Sequence, residues 1–237
     1  MEISKIKENA REVLKGKWGQ GALIILAYFV IIFITYILGI FAIIIQVPIA
    51  LGLSYTFIRL KRGEKVKIFE FLSIGFSNFG RAWRITLRIL PQLILLMLCM
   101  LVGFAMLIVG PFVGLFGEPL TTVIGYFIMG MVIFVLSFIW IVSLYSLTFY
   151  VAYDNPDMTA SEVLKEKARI TKENKGKLFL LELSFIGWGI LAAFTLGIGY
   201  IWLLPYMQVT LVCFYEDLLG NNKDNNAESN DGPIVEN

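Results

Sequence analysis

All twenty Lys and Arg residues of this chain fall into four short blocks, and the stretches between the blocks contain none. The blocks are Lys5–Lys17, Arg59–Arg88, Lys165–Lys177 and the lone Lys223, which leaves basic-free gaps at 18–58, 89–164 and 178–222. Cationic loops stay on the cytoplasmic side of a membrane, so each gap should leave the cytoplasm and return to it. The composition agrees. With 58% hydrophobic residues and a mean hydropathy of +0.77, the chain exceeds the roughly 45–50% apolar content of soluble domains. A spanning helix needs roughly 20 apolar residues, so each gap has room for two. The expected fold is all-α: a polytopic integral membrane protein with six transmembrane helices in three hairpins, cytoplasmic amphipathic helices and both termini inside. The expected spans are 20–39, 46–61, 86–109, 122–150, 178–196 and 200–217. The fourth is too long for an upright helix, so it either tilts or extends past the bilayer on the inside.

The formal net charge is only +2, and Glu118 is the one charge in the expected outer segments. The other charges gather on the inner face with acids and bases mixed. That predicts contact with the lipid bilayer and its anionic headgroups, and argues against nucleic acid, because no basic stripe stands clear of neighbouring Glu. The first twenty residues are charged, and the apolar run after them is too long for a signal-peptide core, so no cleaved leader is expected. Cys99 and Cys213 lie in apolar segments and read as small hydrophobes. From Gly220 the composition turns to Asn, Asp, Ser and Glu, which predicts a disordered cytoplasmic tail over 220–237 after a single transmembrane domain at 1–219.

The chain reads as three copies of one unit, near 3–62, 66–153 and 159–219. Each opens with an amphipathic helix. In the first, Ile3, Ile6, Ala10, Val13, Leu14 and Trp18 recur at helical spacing opposite Glu and Lys residues, the pattern of a helix lying in the membrane plane. In the second, Ile68, Phe71, Leu72, Phe76 and Phe79 recur similarly. In the third, Thr159 and Glu162 have capping-box spacing ahead of Val163, Leu164 and Ile170. A Gly and a basic residue follow each time (Gly16-Lys17, Gly80-Arg81, Gly176-Lys177), and then comes an apolar hairpin. Leu38-Gly39-Ile40 with Pro48, Gly110-Pro111 with Glu118-Pro119, and Leu196-Gly197-Ile198 with Pro205 mark the outer turns. Repeats of this kind are common in membrane folds.

Little of the chain carries chemistry. There is no His, which removes the commonest general base and metal ligand. No zinc-type Cys spacing, phosphate-binding Gly loop or Gly-x-Ser-x-Gly is present. No enzyme activity, cofactor or metal is expected. Glu182 stands out, five residues past Lys177 and so about 7 Å into a span. An ionisable group there is either functional or paired. Pairing with Lys177, Arg84 or Arg88 is the simpler reading, and an ion or proton site the sharper one. Gln46, Gln92 and Gln208 are deep polar residues, explained by interhelical hydrogen bonds unless they converge on one cavity. Gly189, Ala193 and Gly197 read as a helix-packing stripe. Trp18, Trp83, Tyr150, Tyr153 and Tyr215 read as an inner aromatic belt, and Trp140 and Trp188 as core filling.

Two segments carry a resemblance: Thr195–Tyr206 (TLGIGYIWLLPY) with Phe214 and Tyr215, and Ala10-Arg11-Glu12 with Leu14–Trp18 (LKGKW). Together they resemble the integral membrane family known as domain of unknown function nine-seventy-five, found mostly in Firmicutes, over about residues 5–219. Gly197, Gly199, Pro205 and Tyr206 are its most specific part. The family is similar in layout to the membrane domain attached to some glycerophosphodiester phosphodiesterases, whose catalysis lies in a separate soluble domain that has no counterpart here. The resemblance implies a bacterial plasma membrane and no catalytic residues. The function expected is non-enzymatic: organising or sensing lipid or membrane-protein partners at the inner face. A small transporter or exporter of a peptide or amphiphile is the alternative, suggested by the repeats and the Gly/Pro-interrupted hairpins.

Overall fold

The computed structural model describes residues 2–37, 39 and 41–230, without the side chains of 144, 146 and 221–230. Ten helices and no strand occur among the described residues: α1 Ile3–Leu14, α2 Trp18–Tyr36, α3 Phe41–Lys61, α4 Glu70–Ser77, α5 Phe79–Gly114, α6 Leu120–Ser146, α7 Thr148–Asp154, α8 Ala160–Thr171, α9 Lys175–Phe194 and α10 Tyr200–Asn230. Five runs among them are long and apolar enough to cross a membrane: α2, α3, α5, α6 with α7, and α9. The sixth expected span, 200–217, lies within α10, which also includes Glu216 and Asp217. The expected disordered tail falls on the end of α10 and on residues 231–237, which lie outside the described residues, as do Leu38 and Ile40 of the first expected turn.

The chain divides into two compact units, residues 1–85 with 147–237 and residues 86–146. In the first, α10 packs against α1, α2, α3, α8 and α9. Its buried face includes Val209, Val212, Phe214, Tyr215 and Leu218.

α3 begins at Phe41, not at 46, and Pro48 lies inside it. Proline cannot donate to the carbonyl four residues back, which is that of Ile44. The Trp83 indole N–H donates to the Ile44 carbonyl at 3.1 Å, so a side chain from α5 replaces the missing helix bond. α4 lies directly against α3. A Cβ on Gly52 would collide with the Phe71 carbonyl, and one on Gly75 with the Pro48 carbonyl. Only glycine allows that approach. The pairing of 52 with 71 and 48 with 75 makes α4 antiparallel to α3.

The amphipathic helices spend their apolar faces differently. Ile6, Ala10 and Leu14 of α1 are fully buried, and α1 packs on α10. The centre of its stripe is therefore packed on protein. α8 has its capping box, with Thr159 and Glu162 bonded reciprocally, and buries Val163 and Ile170 against its neighbours α7 and α10. α4 and the residue before it keep large apolar side chains outside: Phe71 is buried, but Phe69 is 58% and Phe76 50% exposed.

The second unit is an antiparallel hairpin. Gly103 meets Gly130, Gly110 meets Tyr126 and Gly114 meets Val123. Its turn is at 115–119, with Gly117 at φ 87°, so Gly110-Pro111 lies inside α5 and does not form the turn. α6 ends at Ser146, and α7 starts after the break at Leu147. The long fourth span is thus two helices.

Candidate functional site

The charged residues of the first unit converge on the ends of its helices. Lys17, just after Gly16, donates its ammonium to the Leu60 carbonyl at 3.2 Å. Arg81, just after Gly80, donates to the carbonyls of Asn155 and Pro156, both at 2.5 Å. Lys17 thus caps the C-terminal end of α3, and Arg81 holds the chain just past the C-terminal end of α7. There the last carbonyls lack helical partners and the helix dipole is negative. Lys177, the third of the series, lines a shallow surface depression with Glu2, Ile3 and Lys5.

Around these caps lies a network of ion pairs. Arg62 forms a fork with Asp154 at 2.7 and 2.8 Å and reaches Glu216 at 3.4 Å. Lys61 pairs with Glu216, and Tyr215 donates to Asp154 at 3.0 Å. The Arg62 guanidinium sits 5.5 Å from the Tyr153 ring centre, and that ring meets Tyr55 edge-on at 4.9 Å. Arg59 binds Glu64 at 2.6 Å and Glu70 at 2.5 Å. The cations sit at the C-terminal end of α3, where the dipole favours them. Most of these side chains keep a quarter or so of their surface in solvent, so each pair contributes at most about 1 kcal/mol. Their joint effect is to pin α3, α7 and α10 together. Tyr150 and Tyr215 belong to this interior and not to an aromatic belt, since both are about 1% exposed. Neither Asp154 nor Arg62 was singled out from sequence. The available signal was their place at the ends of apolar runs.

Glu182 is buried, 7% exposed, with both carboxylate oxygens out of contact with solvent. Its field is felt by Lys167 of α8. Burial pushes that ammonium down to about 8, and Glu182 opposes the shift. Arg88 and Arg84 are exposed. The cation shown to act on Glu182 is Lys167. Gln208 accepts a hydrogen bond from the Tyr150 hydroxyl at 2.6 Å. Gln46 is half-buried, and Gln92 is exposed on the second unit. Trp140 and Trp188 are 62% and 58% exposed; they face out of the protein and do not fill its core. Of the small-residue stripe, Gly189 accepts from Tyr200 at 2.9 Å while Ala193 is exposed.

The two segments that carry the family resemblance meet in space. Tyr206 packs against Trp18, ring centres 6.2 Å apart, and edge-on against Phe185 at 5.6 Å. Its hydroxyl donates to the Lys7 carbonyl at 3.4 Å, and Lys7 sits over the Phe185 ring. A Cβ on Gly21 would lie 3.0 Å from Pro205. Gly197 takes φ 85° in the α9–α10 turn, and the Gly199 amide donates to Thr195 at 2.8 Å. The motif thus builds the turn and the junction of α1, α2, α9 and α10.

Among the described residues the protein is helical throughout its regular structure, and five runs are long and apolar enough for membrane insertion. The chain belongs to the family described as Protein of unknown function (DUF975), which matches residues 1–222. No curated protein and no solved structure gives a match.

Proposed function

We propose that this is a six-span, non-enzymatic protein of the bacterial plasma membrane, with both termini cytoplasmic, that organises or senses lipid headgroups or partner proteins at the inner face. One observation carries the reading: α1 and α8 turn their apolar stripes inward, leaving Lys5, Glu8 and Glu12 of α1, Lys15 just after it and Lys165 of α8 exposed. A charged surface backed by pinned helix ends suits recognition of polar partners. The carboxylates beside it are engaged by Arg59, Lys61 and Arg62, which disfavours acid–base chemistry. α10 supplies the sixth crossing in this reading. A three-fold repeat is supported by the packing order: α4 rests on α3, α8 on α7, and α1 on α10. Each amphipathic helix thus docks on the return helix of the unit before it, cyclically.

Topology is tested with single cysteines in a background lacking Cys99 and Cys213. Cysteines at positions 8, 65, 165 and 225 should resist an impermeant thiol reagent applied outside, and one beside Glu118 should react. Outside labelling at 165 overturns the six-span reading. The role is tested by lipid and exported-metabolite profiling of a deletion strain. A changed lipid or membrane-protein distribution supports it. Loss of one exported amphiphile with lipids unchanged would install the transporter instead.

A further inference from the structure

Two hydrogen-bond donors beside the C-terminal half of α3 are buried without a partner among the described residues: the Tyr55 hydroxyl and the Arg81 Nε–H. Tyr55 is 6% exposed, and its hydroxyl has no contact with solvent. Arg81 is half-buried. Its two terminal nitrogens donate to the carbonyls of Pro156 and Asn155. The guanidinium therefore closes on this chain end with its terminal fork, and the Nε–H at the side of the fork stays open. α7 brings the two donors into one neighbourhood. Tyr55 meets Tyr153 of α7 edge-on, ring centres 4.9 Å apart, and Arg81 holds Asn155, two residues further on. The charges of Arg81 and Asp154 both act on the Tyr55 hydroxyl. A buried donor without an acceptor is costly, and native folds keep few of them.

We propose that one buried water molecule bridges the Tyr55 hydroxyl and the Arg81 Nε–H, tying α3 to the first turn of α5 beside the end of α7. The ligand follows from what the two atoms need. The Nε–H only donates, whereas the tyrosine hydroxyl donates one hydrogen and can accept others. A water accepts from both and keeps its own hydrogens to donate, and buried waters sit where buried polar groups lack other partners. An anion suits the place less well. The Asp154 carboxylate already occupies this neighbourhood, held by Arg62 and Tyr215, and a second negative charge would be repelled by it. The Arg62–Asp154–Tyr215 contacts fasten α3, α7 and α10; the water adds the start of α5 to that junction. The site does not depend on the number of spans.

The test uses the full chain in detergent. Tyr55→Phe removes the hydroxyl and keeps the ring against Tyr153. With a water bound, the ratio of folded to unfolded protein should fall roughly two- to tenfold. An orphaned hydroxyl predicts the opposite: its removal leaves stability unchanged or raises it, and that result overturns the site. Arg81→Lys keeps a cation for the end of α7 and lacks the Nε–H. In the double variant the loss from Tyr55→Phe should shrink, because both changes strip the same molecule. Additive losses overturn the bridge. Where Arg81→Lys does not fold, an experimental map fine enough to show ordered water decides. One peak at hydrogen-bond distance from both atoms supports the proposal, and a direct contact between the two side chains or a gap without density overturns it. Replacing chloride by gluconate at constant ionic strength separates water from an anion. The loss from Tyr55→Phe should not change, and a loss that vanishes without chloride assigns the site to an anion and overturns the water.

Discussion

Trp83 and Pro48 form a couple that neither residue reveals alone. Pro48 leaves the Ile44 carbonyl without its helical donor, and Trp83 supplies one from another helix. Trp83→Phe should therefore lower stability in detergent by about 1–2 kcal/mol. In Pro48→Ala the amide of residue 48 can bond Ile44 itself, so the effect of Trp83→Phe should shrink there. A mutant cycle read by thermal unfolding checks this, and additive effects would refute the coupling. Gly52 and Gly75 are stricter. Alanine at either would drive a Cβ into backbone, and a loss of about 1–3 kcal/mol or more is expected. Lys167 gives a pH signature. Its folded pKa, near 8, lies below its ordinary 10.5, so the unfolded chain binds the extra proton between those values. Stability should then rise with pH from about 8 to 10.5 relative to Lys167→Met, whose curve lacks this component. Parallel curves for the two proteins would remove Lys167 from the account. The sequence marks Glu182 as unusual through its depth alone. It does not point to Lys167, because the meeting of α8 and α9 side chains is decided by tertiary packing.

At the scale of elements, helical periodicity and the confinement of cations made most helices legible, including the Gly–cation junctions at 16–17, 80–81 and 176–177. What periodicity cannot state is the material that covers an apolar face. The stripes of α1 and α4 look alike in sequence, yet one is buried on α10 and the other stays partly open. The difference lies in Gly52 and Gly75, which let α4 sit so close to α3 that its far side remains bare. Proline was misleading as a boundary marker in both α3 and α5, because a partner side chain or a tolerated kink lets the helix continue. Because α1 is packed on protein, Ile6→Asp should bury a charge without a partner and destabilise the fold by several kcal/mol. Detergent melting should show a lower midpoint, whereas an in-plane lipid helix would give weaker membrane binding with the melt unchanged.

Across the whole molecule, burial is uneven. In the apolar window of α3, 56% of residues are inside the protein, against 11% for α5 and 18% for the run of α6 and α7. Within the unit of residues 86–146, Gly103, Gly110, Gly114 and Gly130 hold the two helices in close contact. The native thiols report on the parts separately: Cys99 is half-buried in this hairpin, and Cys213 is buried in the larger unit. Under rising denaturant a membrane-permeant maleimide should modify Cys99 at a lower midpoint than Cys213. Coincident midpoints would mean that the two units unfold as one.

The docking of α1 on α10 has a consequence for the birth of the protein. Lys7 and Tyr206 are 199 residues apart, and a ribosome adding roughly 5–20 residues per second leaves roughly 10–40 s between them. During that interval the first helix has been made and its resting place has not. Its stripe of Ile6, Ala10 and Leu14 must wait on the surface of the bilayer or in the care of a chaperone until the last helix arrives. The amphipathic pattern at the start of the chain thus describes a stage in its assembly, and the finished molecule retains it as an interior seam.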